Sequence, residues 1–373
     1  LAVFTSTLFV GNYKITDRAL QEAAQKVPAE RLEMLEPIKN QQMTSKSEML
    51  SSINKLLNAD QSLSDYQLGE YKFWILKAAA TGPFTDYTIT FFILSIILAS
   101  VGGLIYFLPK LKDLPGIKNN HMFFSSTMSR GLIGIILGIY LIGFYVLLYW
   151  YPTQIVNAVN LVEPVSQWLR NQPADRWFLY GFLYTIAVAV MGIRMFIKYR
   201  HSRYHLVRTA SVIFFQFGFA FLIPTILERL NQPSMDFKNA WPLNYSFFMD
   251  WNLSNLLQSG NLGLFILFWG IVLAVIVVPV MTYFLGKRWY CSWVCGCGGL
   301  AETLGDPFRQ LSDKSLRAWK IERWIVHSVL VFAVVMTVMQ ISNFISNGKL
   351  FADYTWRVNQ AYSFLIGAAF AGV

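Results

Sequence analysis

Three cysteines are the residues of this chain best suited to redox or metal chemistry. Cys291, Cys295 and Cys297 are the only cysteines in 373 residues, and all lie in the stretch YCSWVCGCGG. Residues four apart share one helix face, so a helix continuing through Cys291 and Cys295 would put both thiols on one side. The glycines around Cys297 allow the backbone to turn the third thiol toward them. Because thiolates are the usual ligands of iron–sulfur clusters and soft metals, the stretch predicts a redox or metal site.

The surroundings of the cysteines leave several interpretations open. Lys287 and Arg288 precede the stretch and favour the ionised thiolate. Free cysteine is also a common buried apolar residue, so simple packing is the alternative. Three thiols do not complete a tetrahedral zinc site or a four-cysteine cluster. His327, which begins a later apolar run, is either a fourth ligand or an interfacial histidine.

Other polar residues suggest weaker hypotheses. His201 and His205, four apart in a basic segment, can bind one metal from a single helix face or can simply be solvated. Arg194, near the end of an apolar run, is predicted to snorkel to the membrane surface. Pro224 and Pro279 are able to kink their helices, which is the limited support for a transporter or channel.

The elements that must position these residues are membrane helices. Hydrophobic residues make up 55% of the chain and charged residues 14%, and the mean hydropathy is +0.42. Apolar runs of about 18 or more residues can cross a membrane as helices. We therefore predict an all-α fold, a polytopic transmembrane helix bundle with six full spans. The predicted spans are 87–108, 131–151, 178–197, 206–226, 262–284 and 325–345.

Both ends of the sequence suggest that it is a fragment. A seventh apolar run starts near Ala361 and is cut at Val373. Residues 1–10 are apolar and begin without methionine, so we interpret them as the end of a membrane helix or of a signal anchor.

The distribution of basic residues predicts the orientation. Net charge is +10, and the first, third and fifth connections between spans are basic whereas the others are not. This alternation explains the net charge without a nucleic-acid partner, and it places the basic connections on the cytoplasmic side of the membrane. The cysteine stretch opens the fifth connection, so it is predicted at the cytoplasmic membrane surface. Disulfides are not expected on that reducing side.

The orientation also divides the chain into regions. Segment 11–86 lies outside and is predicted to form short amphipathic helices, either a packed cap or a surface for docking a partner. The five-span region is 87–285, the cytoplasmic cysteine segment with an amphipathic helix is 286–324, and 325–373 holds the sixth span and the start of the seventh.

The segment GKRWYCSWVCGCGGLAETLGDPFRQ, residues 286–310, resembles a known family. It is similar to the membrane-bound 4Fe-4S polyferredoxins that accompany nitrous oxide reductase, periplasmic nitrate reductase and cytochrome oxidase assembly. Cys291 and Cys295 match the paired cysteines of that family, and Trp293 matches the aromatic residue between them. Gly296 stands where the family usually has proline, and Cys297 is an additional thiol.

The resemblance implies a membrane-bound electron-transfer protein that passes electrons through 4Fe-4S clusters at the cytoplasmic membrane face. It would work as a redox component with a partner protein, surrounded by membrane lipid, and not as a stand-alone enzyme. Cys291 and Cys295 would be cluster ligands, with Cys297 as a third. The alternative is a membrane thiol–disulfide or metal-handling assembly factor that uses the same cysteines.

Overall fold

The computed structural model describes residues 2–57, 65–112, 132–233, 237–238, 241, 244, 247–286, 289–306, 313 and 315–362. Most of these residues are helical, which confirms the predicted all-α class. The chain divides into two compact units. The first comprises Leu1–Tyr106 with Leu141–Tyr180, and the second Phe107–Tyr140 with Gly181–Val373.

The first unit contains a small antiparallel sheet that the sequence patterns did not predict. Strand β1 (Asn12–Lys14) lies between β2 (Gln42–Met43) and β3 (Ala80–Thr81). The strands are two or three residues long, too short to show an alternating pattern. Tyr13, in the central strand, is buried and pairs with both neighbours.

Helices of the first unit pack against this sheet. Helix α4 carries Met49, Ile53 and Leu57 on one buried face, which is the helical spacing of an amphipathic element. The helices of segment 11–86 and the one before it are α1 (Ala2–Phe9), α2 (Asp17–Ala23), α3 (Ala29–Glu33), α4 (Lys46–Leu57), α5 (Asp65–Ala79) and α6 (Pro83–Asp86).

The remaining described helices are longer on average and more apolar. They are α7 (Thr88–Phe107), α8 (Leu132–Trp150), α9 (Val156–Leu161), α10 (Glu163–Arg170), α11 (Arg176–Lys198), α12 (Arg203–Arg229), α13 (Asp250–Gln258), α14 (Gly260–Leu285), α15 (Trp289–Trp293), α16 (Gly296–Thr303), α17 (Leu316–Ile345) and α18 (Ala352–Tyr362).

Five of the described helices are long and apolar enough to cross a membrane: α7, α11, α12, α14 and α17. They correspond to five of the six predicted spans. The sixth predicted span, 131–151, falls on α8. The described part of α8 is followed by the helical segment Pro152–Leu161, and the two are bent by 112° relative to each other. They count as one span only if this bent pair is taken together. The predicted seventh run lies almost entirely outside the described residues.

Two of these helices contain π-helical segments next to a proline. The π segment Phe215–Leu222 of α12 precedes Pro224, and Leu273–Val277 of α14 precedes Pro279. Proline has no N–H and its ring crowds the carbonyl four residues earlier, so a wider turn accommodates it within the helix. The prolines thus alter the local helical geometry, and the first π segment includes Gln216, which contacts the cysteine stretch.

Candidate functional site

The cysteine stretch begins where α14 ends. Gly286, with φ of 92°, follows the last helical turn. Trp289 then begins α15, and its Nε1 donates a hydrogen bond to Thr282 Oγ1 at 3.0 Å. The chain therefore folds back along α14 after leaving it. Lys287 and Arg288, expected to supply positive charge, lie outside the described residues.

The three cysteines lie on different local structures. Cys291 is exposed on the short helix α15, and Cys297 is exposed in the first turn of α16. Cys295 is buried and extended, with φ of −67° and ψ of 139°, at the position that precedes α16. A single helix through Cys291 and Cys295 is therefore not formed, because α15 ends at Trp293.

The turn between α15 and α16 nevertheless brings the thiols together. The sulfur of Cys295 lies within hydrogen-bonding reach of the Cys291 and Cys297 thiols. The backbone N–H groups of Cys297 and Gly298, in the first turn of α16, lie near this sulfur, although the Cys295 side chain forms no capping hydrogen bond with the helix. N–H groups at a helix N-terminus favour negative charge, so the arrangement suits Cys295 as a thiolate.

Two glycines allow this turn to close. A Cβ atom at Gly298 would lie 1.5 Å from the carbonyl oxygen of Cys291, so no side chain fits there. A Cβ atom at Gly296 would lie 2.8 Å from the Tyr184 hydroxyl oxygen. Glycine at these positions lets α16 approach both α15 and α11, and the close approach at Gly296 accounts for a small residue where the resembling family has proline.

Polar side chains on α11 and α12 hold the backbone of the cysteine turn. Three of them donate hydrogen bonds to its carbonyl oxygens: Ser211 to Trp293 at 3.0 Å, Gln216 to Val294 at 2.8 Å and Tyr184 to Gly296 at 3.0 Å. The Tyr184 hydroxyl also lies 3.0 Å from Gln216 Oε1. Gln216 is buried, and leaving a carbonyl group next to it without a hydrogen bond would cost free energy. These hydrogen bonds therefore fix the position of the turn.

Buried charges hold the other end of α16. Asp306 accepts hydrogen bonds from Arg194 at 2.6 Å and from Lys198 at 2.9 Å, and all three side chains are buried. Burial raises the pKa of Asp306, but hydrogen bonds and charge from Lys198 and Arg194 outweigh it, so the pKa is lowered overall. The prediction that Arg194 snorkels to the surface is wrong, because Asp306 provides a charged partner inside the protein.

A second loop contributes a residue that the sequence patterns missed. The Tyr290 hydroxyl donates to the carbonyl of Lys238, which is itself buried. The positive charge of Lys238 acts on the Cys297 thiol. Lys238 lies 59 positions from Cys297 in the chain and in no recognisable motif, so only the tertiary structure reveals it.

The histidines do not join a metal site within the described part of the chain. His327 is exposed, with Nδ1 2.6 Å from the carbonyl of Arg323 in its own helix. The ring of His205 stacks on Tyr199 at 4.5 Å, and its Nδ1 is 2.9 Å from Ser202 Oγ. Among the residues described, no three or more His, Cys, Asp or Glu side chains are arranged to hold a metal ion, and this includes the three cysteines, so the turn supplies neighbouring thiols without forming a closed metal site.

The donor chemistry of the cysteine turn fits an iron–sulfur cluster in part. Three thiols and inward-pointing backbone N–H groups are the groups that bind and stabilise such clusters. A four-iron cluster takes four ligands, and the sequence has no fourth cysteine. The remaining ligand is therefore another type of residue or lies outside these 373 residues.

The comparisons with known proteins agree with this chemistry. Residues 266–315 match the family described as "4Fe-4S binding domain". The matched range includes most of α14, the whole cysteine turn and α16. No curated protein and no solved structure matched the chain. The family match confirms the 4Fe-4S cluster that the sequence predicted as cofactor.

Proposed function

We propose that this protein is a membrane-bound electron-transfer protein of the polyferredoxin type, which passes electrons through a 4Fe-4S cluster held by Cys291, Cys295 and Cys297. The observation that carries the proposal is the gathering of the three thiols around one turn inside the matched 4Fe-4S binding domain. When bound, the cluster supplies one-electron redox chemistry.

The residues of the chain have separate roles in this proposal. Cys295 is the inner ligand, since its sulfur is buried and faces the N–H groups of α16. Cys291 and Cys297 are the outer ligands and face the uncovered side of the turn. Ser211, Gln216 and Tyr184 keep the backbone between them in place.

The cellular setting is part of the same proposal. The five long apolar helices support a multi-pass membrane protein. The resemblance to the polyferredoxins favours a bacterial inner membrane, and the alternation of basic connections favours a fifth connection that faces the cytoplasm. The exposed thiols would face a further ligand, and a redox partner protein would exchange electrons with the site. No nucleic acid is involved.

A thiol–disulfide or metal-handling assembly factor is the second candidate. It is favoured by one observation, the hydrogen-bonding reach between Cys295 and its two neighbouring thiols. In disulfide exchange a thiolate attacks a nearby sulfur. In metal transfer thiolates bind the metal, so closely spaced thiols suit both reactions.

Anaerobic purification of the full-length protein separates the two candidates. We expect iron and acid-labile sulfide in a ratio near one, with an EPR signal after reduction by dithionite that is lost in Cys291→Ser. The variant Ser292→Ala, on the same helix, serves as the control and should keep the signal. Protein without iron but with intact thiols would contradict the electron-transfer function and favour the assembly factor.

A further inference from the structure

The contacts of the cysteine turn lie at the middle of the neighbouring helices. Gln216, which binds the Val294 carbonyl, is thirteen residues from each end of α12. At 1.5 Å per residue, this is about 20 Å from either end. Tyr184, which binds the Gly296 carbonyl, is eight residues from Arg176 and fourteen from Lys198 in α11. The turn is therefore level with the centres of two helices that are long enough to cross a membrane.

Helix α15 enters the bundle from the end of α14. Trp289 contacts Thr282, close to the end of α14. Further along, Tyr290 and Val294 pack with Val278, which is seven residues before Leu285. The chain thus descends beside the helix it has just left.

Helix α16 returns toward the same end of the bundle. Its first residue, Gly296, is level with Gln216 of α12. Two turns later Glu302 binds Arg208 at 2.6 Å. Asp306, just after the helix, binds Lys198 at the end of α11. Each step along α16 therefore moves away from the helix centres, so α15 and α16 form a re-entrant pair.

A loop from the opposite end meets this pair. The loop that connects α12 to α13 begins after Arg229, which is the end of α12 remote from Gly286. Its Phe237 carbonyl accepts a hydrogen bond from Trp269 Nε1, nine residues inside α14, at 2.9 Å. The next residue, Lys238, contacts Tyr290 of α15. Two chain segments from opposite ends thus meet beside the cysteines.

We propose that the iron–sulfur site lies near the mid-plane of the membrane, on the re-entrant pair α15–α16, and that Lys238 from the opposite loop lines it. This inference rests on the proposed function for the cluster, but the depth of the cysteines is independent of it. It replaces the position at the cytoplasmic surface that the sequence predicted. A centre at this depth lies about 12 to 21 Å from the ends of the two helices that hold it, between the two sides of the membrane.

Lys238 has a specific role in this arrangement. Reduction adds one negative charge at the cysteine site, and a buried positive charge acts on it with less screening than a charge in water. Lys238 is buried, and its carbonyl accepts a hydrogen bond from Tyr290, the residue before Cys291, so its positive charge would stabilise the reduced state more than the oxidised state. The positive charge therefore raises the reduction potential of the site.

The depth of the cysteines in the membrane is measured on the full-length protein in nanodiscs. A nitroxide spin label is attached to Cys297, and the substitutions Cys291→Ser and Cys295→Ser remove the other two thiols. Two reference labels in a cysteine-free background calibrate one helix: Arg317→Cys at the start of α17 and Val335→Cys at the centre of the predicted span 325–345, both exposed. The ratio of collisions with oxygen and with a nickel chelate should match Val335. A ratio that matches Arg317 would place the cysteines at the surface and overturn the proposal.

A second depth measurement uses unmodified protein, in case the serine variants fold poorly. A membrane-impermeant dysprosium chelate added on either side should leave the relaxation of the reduced-cluster EPR signal nearly unchanged. Strong relaxation from one side alone would contradict the mid-plane position. If no cluster is found, the proposed function fails while the spin-label result still decides the depth.

The role of Lys238 is tested by redox titration. Lys238→Gln should lower the midpoint potential, and Lys238→Arg, which keeps the charge, should restore it. Lys320→Gln, an exposed lysine of α17, is the matched control and should leave the potential unchanged. An unchanged potential in Lys238→Gln, with the cluster retained, would remove Lys238 from the site.

Discussion

At the scale of single residues, Cys295 shows how a fold can favour the thiolate form of a cysteine. It is the buried member of the three cysteines, and it precedes α16 with its sulfur facing the N–H groups of the first turn. Those N–H groups have no partners within the helix, so they stabilise negative charge on sulfur without any charged side chain. The same geometry depends on the absence of a side chain at Gly298.

Replacing Gly298 by alanine should disrupt the site. The added Cβ would overlap the Cys291 carbonyl oxygen, so one of the two backbone segments must move. We expect a loss of about 1–3 kcal/mol in the free energy of unfolding, typical of overpacking, and a several-fold lower iron content. Thermal unfolding in detergent and iron analysis of the purified variant measure both effects.

Gly218→Ala is the control for this substitution. A Cβ atom there meets nothing within 4 Å outside its own helix. Its stability and iron content should stay near those of the unmodified protein. If Gly298→Ala behaved like Gly218→Ala, the close approach of α16 to the Cys291 carbonyl would not matter for the site.

At the scale of elements, α16 is held at both ends by α11 and α12. Hydrogen bonds from Gln216 and Tyr184 hold its start, and the ion pairs of Asp306 hold the segment just beyond its end. Because α16 itself has only eight residues, it would be marginal as an isolated helix. Its stability therefore comes from these tertiary contacts.

Asp306→Asn should release the outer end of α16. Arg194 and Lys198 would then remain buried without their anion, and breaking such a buried pair costs about 3–5 kcal/mol. Because the pKa of Asp306 is lowered, the stabilisation is complete above the ordinary aspartate pKa of about 3.9. It is lost as the pH falls through the lower folded-state pKa. Thermal unfolding of the variant and of the unmodified protein at several pH values tests this.

The exposed pair of Arg18 and Glu22 provides the comparison for Asp306. Both side chains are largely in solvent, so Glu22→Gln should cost less than about 1 kcal/mol. Equal effects of Asp306→Asn and Glu22→Gln would show that the buried charges do not anchor α16.

At the scale of the whole molecule, apolar helices and basic connections together predict one orientation. Labelling of engineered cysteines with an impermeant maleimide tests it in intact cells, after the three native cysteines are changed to serine. Ser51→Cys, exposed on α4, should react from outside. Lys320→Cys, exposed at the start of α17, should react only after permeabilisation. The reverse pattern would show that the orientation from the positive-inside rule is wrong.

The helical class, five of the long apolar helices and the 4Fe-4S cofactor are all predictable from the sequence alone. Apolar runs and a cysteine cluster are local features, and their physical meaning does not depend on distant residues. Pattern could not reveal strands as short as β1, because two or three residues show no alternation.

The residues that surround the cysteines are determined by tertiary packing and are not visible in the sequence pattern. Gln216, Asp306 and Lys238 reach the cysteine segment from other parts of the chain, and no spacing in the sequence links them to it. The change of direction at Gly286 is compatible with either a surface loop or a re-entrant pair. The hydrogen bonds and buried charges that favour the second arrangement form only when distant helices pack together, because a buried polar group needs a partner wherever the fold supplies one.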